Sequence, residues 1–219
     1  DGTEVLADID SIQAHLSLWS LPLGVVRVQD LTINGLKTRL SQDAFIGDDA
    51  FKDAFGATRF PDGLRIKNVS LKNSSVRVLA TGDAPTLLFD QLNLTLGGLS
   101  PEMETPLEAS FHVSEAIDGQ GTPSPIGTFS LKTSLQFSAS ASAVTLRDLA
   151  ASGTLAGSAG ENIVLCSAKR LNWTPSQASG LALKASISSS DPTRGEVTLD
   201  VADFLADALQ LATPEIKLS

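Results

Sequence analysis

The sequence contains no tyrosine, and aromatic residues make up 5% of its 219 positions. Proteins that bind single-stranded nucleic acid stack the bases on aromatic rings within a basic groove. Lysine and arginine number 16 against 25 aspartate and glutamate residues, so the net charge is −9. This charge and the shortage of rings argue against nucleic acid and against anionic membrane surfaces as partners.

Cysteine is nearly absent as well, since Cys166 stands alone in the apolar run Ile163-Val164-Leu165-Cys166. An intrachain disulfide is therefore impossible, and such a lone cysteine is typical of a buried small hydrophobic residue. No stretch approaches the roughly 18 apolar residues that a membrane-spanning helix needs, and no signal peptide is recognisable. The opening Asp1-Gly2-Thr3-Glu4 is what we expect of a mature start or an excised domain.

Residue patterns typical of metal or nucleophile chemistry are missing too. His15 and His112 each fall on the polar side of an alternating segment, without a cysteine, histidine or carboxylate at metal-ligand spacing. Ser152-Gly153 and Ser158-Ala159-Gly160 are interpreted as turns rather than as nucleophile elbows. With no nucleophile context, a serine hydrolase site is not expected.

A run of carboxylates, Asp48, Asp49 and Asp53, is the remaining candidate cation site. It lacks the alternating oxygen ligands around a glycine turn that a calcium loop requires. Acidic residues at a helix start complement the helix dipole, which explains the run without a cation. We therefore expect no catalytic, cofactor-binding or metal-binding residue, and no enzyme.

What the sequence has in abundance is alternation of apolar and polar residues. Strict alternation with a period of two is typical of strands with one buried and one solvated face. The clearest strand patterns are carried by Ile12 to Leu18, Leu107 to Val113, Phe129 to Phe137, Leu181 to Ile187, and Val197 to Val201. The prediction is a mainly β protein with a long, twisted, curled antiparallel sheet, either an open trough or an incomplete barrel.

A second pattern is an alternation that slips by one residue and then resumes. Such a slip would turn the apolar residues to the wrong face unless a bulge or corner absorbs it. The slips fall at Gln29-Asp30, Lys67-Asn68, Asp90-Gln91 and Arg147-Asp148. The first two copies match over ten residues, and their first residues, Val26 and Leu64, are 38 positions apart. We interpret them as a degenerate structural repeat.

One or two short helices accompany the predicted strands. Ile46, Ala50, Phe51, Ala54 and Phe55 form one helical stripe, with Asp48 and Gly56 as its caps. The second stripe consists of Phe204, Leu205, Ala208, Leu209 and Ala212, with Asp203 as its cap and Pro214 at its end. Residues 1–219 are expected to form a single β-rich domain, a fragment of a larger protein, with a possible subdivision near 116–126.

The slipped strands resemble the AsmA-like family of bacterial envelope proteins. The resemblance is carried by Val26 to Gly35, by Leu87-Leu88-Phe89-Asp90-Gln91-Leu92-Asn93-Leu94-Thr95-Leu96, and by Val144-Thr145-Leu146-Arg147-Asp148-Leu149. The closing stretch from Gly195 to Leu205 is similar to the family's C-terminal region, where a strand runs into a short helix.

The resemblance implies a periplasmic domain of a protein that an inner-membrane helix anchors. It implies no catalytic residue and a role in outer-membrane assembly or phospholipid movement along a hydrophobic groove. The lipid-facing residues would be the apolar members of the clearest strands, namely Leu107, Phe111, Phe129, Leu131 and Phe137. Phospholipid acyl chains are the expected partner, and cut sheet edges favour pairing with another copy.

An alternative stays open, because periodicity cannot tell an apolar groove from a closed core. A structural or adhesive β-sandwich that binds protein or sugar would hide the same alternating face. Sugar binding would require exposed aromatic rings, and Trp19 and Trp173 are the tryptophans available for it.

Overall fold

The computed structural model describes residues 7–17, 26–41, 64–79, 85–98, 103–116, 123–138, 143–157, 160–174, 177–189, 195–207, 211–212 and 216–218. These residues form fourteen strands: β1 (Ala7–Asp8), β2 (Ser11–Ser17), β3 (Val26–Asn34), β4 (Lys37–Ser41), β5 (Leu64–Leu79), β6 (Thr86–Leu96), β7 (Thr105–Ala116), β8 (Ser124–Phe137), β9 (Val144–Gly157), β10 (Gly160–Trp173), β11 (Gln177–Ser189), β12 (Glu196–Asp207), β13 (Leu211–Ala212) and β14 (Ile216–Leu218).

All fourteen strands belong to one sheet that does not close on itself. From β5 to β12 each strand pairs antiparallel with the next strand along the chain. β1 and β2 form one edge, and β13 and β14 pair with β12 at the other. The prediction of a mainly β protein built on a long, open sheet is confirmed.

The sheet is mixed rather than wholly antiparallel, because β3 and β4 both run parallel to β5. The parallel ladder pairs Val26 with Leu64 and continues to Ser41 opposite Leu79, always 38 positions apart. This offset is the period of the sequence repeat, so equivalent residues of the two copies lie side by side. Asn68 Nδ2 donates a hydrogen bond to Asp30 Oδ1 across the ladder at 2.9 Å.

A corner at equivalent positions of the two copies joins β3 to β4 and bends β5. Gly35 and Asn73 both have left-handed backbones, with φ of 68° and 49°. A Cβ atom at Gly35 would collide with the carboxylate of Asp10, so another residue there would have to displace that side chain. Ser74, whose side chain is 1% exposed, accepts a hydrogen bond from the Leu36 amide at 3.2 Å and donates one to the Lys72 carbonyl at 3.0 Å.

Three of the four predicted slips coincide with register shifts of the ladders, whereas the shifts between β5 and β6 fall near Ser74 and not at the predicted Lys67-Asn68. The β2–β3 register shifts opposite Gln29, between His15 and Leu16. The β6–β7 register shifts after Asp90, where Gln91 has a φ of 48°. The β8–β9 register shifts where Asp148 has a φ of 50°. Left-handed residues of this kind are typical of β-bulges, which restore the apolar side chains to one face.

Several predictions of local structure are wrong. The second helix does not begin at Asp203, because Asp203 to Asp207 continue β12 and pair with Leu181 to Gln177. Ala208 and Leu209 of that prediction fall outside the described residues. The ring of Phe204 lies over Gly180, its partner on β11, so cross-strand packing overrides the local helical pattern. Ser152-Gly153 is not a turn but lies inside β9. The first predicted helix, with Asp48, Asp49 and Asp53, and residues 117–122 and 158–159 fall outside the described residues.

All described strands belong to one sheet, and few of their apolar side chains are buried. Among the described residues the buried apolar side chains are Val28, Leu96, Val113, Leu135, Ala168 and Val201. The described strands therefore form an extended single layer with a thin core, not the two packed sheets of a sandwich.

Replacing Ser74 with alanine tests the corner between the two repeat copies. The variant leaves the partly buried Leu36 amide without its acceptor, so we expect the free energy of unfolding to fall by about 1 kcal/mol. Ser130→Ala is the control, because Ser130 is exposed and water can replace its 3.1 Å hydrogen bond to Ser152. Urea denaturation followed by circular dichroism makes the comparison, and equal losses would contradict the assigned role of Ser74.

Candidate functional site: an uncovered apolar face

The register of the strands assigns each side chain to one of two faces. Residues paired directly across antiparallel strands point to the same side of the sheet. One row of such partners consists of Phe111, Phe129, Gly153, Val164, Ile187 and Val197. The next consists of Leu94, Ala109, Leu131, Ala151, Cys166, Ala185 and Leu199. We call the side that carries these two rows the apolar face.

The five side chains predicted to face lipid all lie on the apolar face. Phe111 and Phe129 are register partners, and Leu131 and Phe137 alternate with Phe129 along β8. Leu107 pairs with Thr133 of the same alternation. The alternation in the sequence therefore correctly placed these five side chains on the same face of the sheet. Phe137 lies in a third row, with Val144, Trp173 and Ala178, at the far end of these strands.

A stack of phenylalanine rings crosses β6, β7 and β8 on this face. The ring centroids of Phe89 and Phe111 are 5.7 Å apart, and those of Phe111 and Phe129 are 5.8 Å apart. Beyond Phe129 the row meets Gly153, and the Phe129 ring occupies the space where a Cβ atom would lie. Gly153 is thus a strand residue against which the Phe129 ring packs.

Beside the phenylalanine stack runs a lane of small side chains, which we define as Ala109, Ala151, Cys166 and Ala185. The lane crosses the strands at right angles, interrupted by Leu131. Larger side chains flank it, with Phe129 and Val164 on one side and Leu149 and Leu183 on the other. Neighbouring rows are about 7 Å apart, since they lie two residues apart along each strand. The lane is therefore a row of small side chains, and the rows beside it contain larger side chains together with the small residues Gly153 and Ala168.

The opposite side, which we call the polar face, carries ion pairs between residues that are register partners. Lys132 Nζ lies 3.0 Å from Glu108 Oε1, and Lys184 Nζ lies 3.2 Å from Asp200 Oδ2. None of the three rows assigned to the apolar face contains a charged residue. The polar face also carries the exposed side chains of Ile163 and Leu165, so the two faces differ in their charged residues rather than in apolar content alone.

A groove of about 700 Å³ lies mainly on the polar face across β8 to β12. Its lining includes Lys132, Lys184 and Leu165 of the polar face, and it also includes Ala151 and Cys166 from the lane. The lining contains no aromatic ring on which a sugar could stack. Both lysines are already paired with carboxylates, so the groove presents no unpaired charge from them.

Both histidines lie on the polar face, each opposite an aspartate. His15 Nδ1 is 4.0 Å from Asp30 Oδ2, and His112 Nδ1 is 3.7 Å from Asp90 Oδ1. Spacing along the sequence could not reveal these pairs, because a neighbouring strand supplies each carboxylate. Within the ranges that the structure describes, no three metal-ligating side chains come together. A histidine and one carboxylate do not amount to a metal centre.

Cys166 lies in the lane of the apolar face, with Ala151 and Ala185 as its register partners. It is partly buried rather than fully buried. Burial raises the pKa of the Cys166 thiol above its usual value. Since the thiolate is the nucleophile, this environment makes the cysteine a weak one near neutral pH.

A scan against protein-family models finds no match, and a search of curated proteins finds none either. The resemblance to the AsmA-like family therefore stays a prediction. The described residues include no helix with the length and hydropathy that a membrane crossing requires.

Gly153→Ala tests the seat of the Phe129 ring. The added Cβ would displace that ring and would lie 2.6 Å from the Thr128 carbonyl oxygen, a backbone atom that cannot move aside. We expect the free energy of unfolding to fall by about 1–3 kcal/mol through overpacking. Gly195→Ala is the matched control, because nothing lies within 4 Å of the Cβ position there. A tolerated Gly153→Ala in urea denaturation would show that the ring lies elsewhere.

The alkylation rate of Cys166 tests its assigned environment. Since burial raises the thiol pKa, the thiolate fraction is small at neutral pH and grows until the pH passes that raised value. We expect the rate with iodoacetamide to lag behind that of an unfolded control in urea and to keep rising above the pH at which the control levels off. Coincident pH profiles for the folded and unfolded chain would contradict the assignment.

Proposed function

We propose that this chain is a non-enzymatic lipid-binding domain whose apolar face holds the acyl chains of phospholipids or related envelope lipids. The observation that supports it is an apolar face without charged residues in its assigned rows, on a sheet whose described part supplies no second layer to cover it. Apolar surface left in water costs about 25 cal/mol per Å². An apolar occupant removes this cost.

Acyl chains suit this face better than a polar ligand does. The phenylalanine stack and the lane offer dispersion contacts but no charged partner for a headgroup or a peptide side chain. Methylene chains need no hydrogen bonds, and each buried methylene contributes about 0.8 kcal/mol. The ion pairs of the polar face keep that side solvated.

On the resemblance to the AsmA-like family, we further propose a periplasmic location and an inner-membrane anchor in the full-length protein. The work of the domain would be phospholipid movement or outer-membrane assembly in the cell envelope. A continuous apolar face that crosses many strands supports movement, because it offers an acyl chain a series of equivalent contacts.

The alternative, a structural or adhesive domain that binds protein or sugar, has the groove on the polar face in its favour. Its lining lacks aromatic residues and holds its lysines in ion pairs. These features give a sugar no ring to stack on, so lipid binding is the better supported proposal.

Ala151→Glu and Ala150→Glu form a matched pair that tests the lipid proposal. Ala151 lies in the lane, whereas the adjacent Ala150 is exposed on the polar face. We expect Ala151→Glu to lower the affinity for fluorescent phospholipid by about tenfold or more, equivalent to about 1.4 kcal/mol or more, and Ala150→Glu to leave it unchanged. Circular dichroism and urea midpoints verify that both variants fold.

Native mass spectrometry of the protein purified without detergent gives an independent readout. We expect phospholipid adducts with the unchanged chain and with Ala150→Glu, and their loss with Ala151→Glu. Added lipid should also slow the alkylation of Cys166, which lies in the same lane. A lipid-free mass with no uptake of phospholipid, or equal binding by both variants, would refute the proposal.

A further inference from the structure

Three strands near the start of the chain hold an excess of positive charge, although the chain is acidic overall. β3, β4 and β5, which we call the basic strands, contain seven lysines and arginines and one carboxylate, that of Asp30. The net charge of −9 argues against an anionic partner for the chain as a whole. Exposed charges more than about 10 Å apart are largely screened at physiological salt, so a local excess can still attract an anion.

The parallel ladder places arginine beside arginine at two positions of the basic strands. Arg27 pairs with Arg65 before the corner, and Arg39 pairs with Arg77 after it. Because neighbouring strands are about 4.8 Å apart, each of these two arginine pairs brings two guanidinium groups to one place on the sheet. The ion pairs among the described residues include none of the four arginines.

Arg27 and Arg65 point to the polar face. Arg27 is the register partner of Ser17, which lies two residues beyond His15 along β2 and so shares its side of the sheet. Both arginines are exposed. A ligand that approaches the polar face therefore has access to this pair.

Arg39 and Arg77 point to the same face. Arg77 follows Val76, whose partner on β6 is Phe89 of the phenylalanine stack on the apolar face. Adjacent residues of a strand point to opposite sides, so Arg77 and its partner Arg39 lie on the polar face. Arg39 is exposed, and Arg77 is partly exposed.

The nearby carboxylates do not compensate the arginine pairs. The described carboxylates that precede β6 are those of Asp8, Asp10 and Asp30. Asp10 Oδ1 lies 3.6 Å from Lys37 Nζ, and Asp8 is the register partner of Lys37. Asp30 accepts its hydrogen bond from Asn68. Positive charge at the two arginine pairs is therefore left for a ligand.

The repeat explains why like residues lie side by side, but not which like residues are kept. At the acidic position the second copy has Asn68, which donates a hydrogen bond to Asp30, whereas a second carboxylate would repel it. Like charges directly opposite each other are destabilising, and both arginine pairs retain this repulsion. An anion bound between the guanidinium groups would remove it.

We propose that the two arginine pairs dock the basic strands on the surface of an anionic lipid bilayer, with each pair holding a lipid phosphate. The planar guanidinium group donates two parallel hydrogen bonds to phosphate oxygens, a geometry that lysine lacks. Lys67 and Lys72 are exposed on β5 and add positive charge. The arginine pairs lie on the face opposite to the lane, so the docking does not depend on whether the apolar face binds lipid.

The distance between the two pairs favours a lipid surface over a small anion. Arg65 and Arg77 are twelve positions apart within β5, about 40 Å along an extended strand, so one phosphate cannot reach both pairs. A bilayer or a nucleic acid presents phosphates over such a length. The basic strands contain no aromatic residue on which bases could stack, and this favours the bilayer.

Vesicle flotation tests the docking with lipids of defined charge. We expect the unchanged chain to bind vesicles of phosphatidylcholine with phosphatidylglycerol more tightly than vesicles of phosphatidylcholine alone. Rising salt should abolish this preference, because salt screens exposed charges. Equal binding to the two kinds of vesicle at low salt would overturn the proposal. So would tighter binding to a single-stranded oligonucleotide, because it would assign the arginine pairs to nucleic acid.

Two double variants test the arginine pairs themselves. Arg27→Gln with Arg65→Gln, and Arg39→Gln with Arg77→Gln, should each weaken binding to the anionic vesicles by about tenfold or more. Since each double variant relieves repulsion between like charges, its urea midpoint should be no lower than that of the unchanged chain. A lower midpoint would show that the arginines serve the fold and would contradict the proposal.

Lys169→Gln with Arg170→Gln is the matched control. It also removes two exposed positive charges, but from β10, and it leaves both arginine pairs intact. We expect it to bind the anionic vesicles as the unchanged chain does. An equal loss in the control would attribute binding to net charge and refute the docking surface. Binding that ignores salt and disappears in Ala151→Glu would place the contact on the apolar face, with the same consequence.

Discussion

The period of two along a strand is the constraint on which this structure depends. One residue out of step would send every later side chain to the opposite face. The chain contains several such steps, and bulges absorb them, at Gln91 and Asp148 with left-handed backbones. The bulge at Asp148 lets the β8–β9 ladder resume in a shifted register, with Leu146 opposite Leu135. One face can therefore stay apolar along strands that are longer than an uninterrupted alternation would allow.

A sheet built in this way has no need of a second layer to specify its fold, but it leaves surface that a compact protein would bury. Cross-strand pairs supply local packing, as where the Phe129 ring lies over Gly153 and the Phe204 ring lies over Gly180. These contacts fill space within the layer and leave the outer side of the apolar residues exposed. The stability of such a layer comes from many neighbouring ladders rather than from one deep core. The loss of a single contact therefore destabilises mainly the strands that make it.

The alternation was sufficient to predict the fold class, the shared side of Leu107, Phe111, Phe129, Leu131 and Phe137, and the register shifts at Gln29, Gln91 and Asp148, but not those near Ser74 and Ser114. It was not sufficient where long-range pairing decides local structure. Phe204 and Leu205 fit a helical stripe, and only the pairing of β12 with β11 makes them strand.

The parallel ladder was also missed, although its signal was present in the 38-residue offset between Val26 and Leu64. Like residues at a fixed offset are what an in-register parallel pair requires. The carboxylates beside His15 and His112 come from other strands, so sequence spacing could not find them.

The lipid proposal follows from the kind of contact that a single layer leaves unmade. The apolar face of the described strands lacks a second layer, and the contacts that such a layer would supply are non-directional. An acyl chain can therefore supply them at many positions along the rows, whereas a polar ligand would need hydrogen-bond partners at fixed positions. This difference is why a face without charged residues in its assigned rows favours a lipid over a headgroup, a sugar or a peptide.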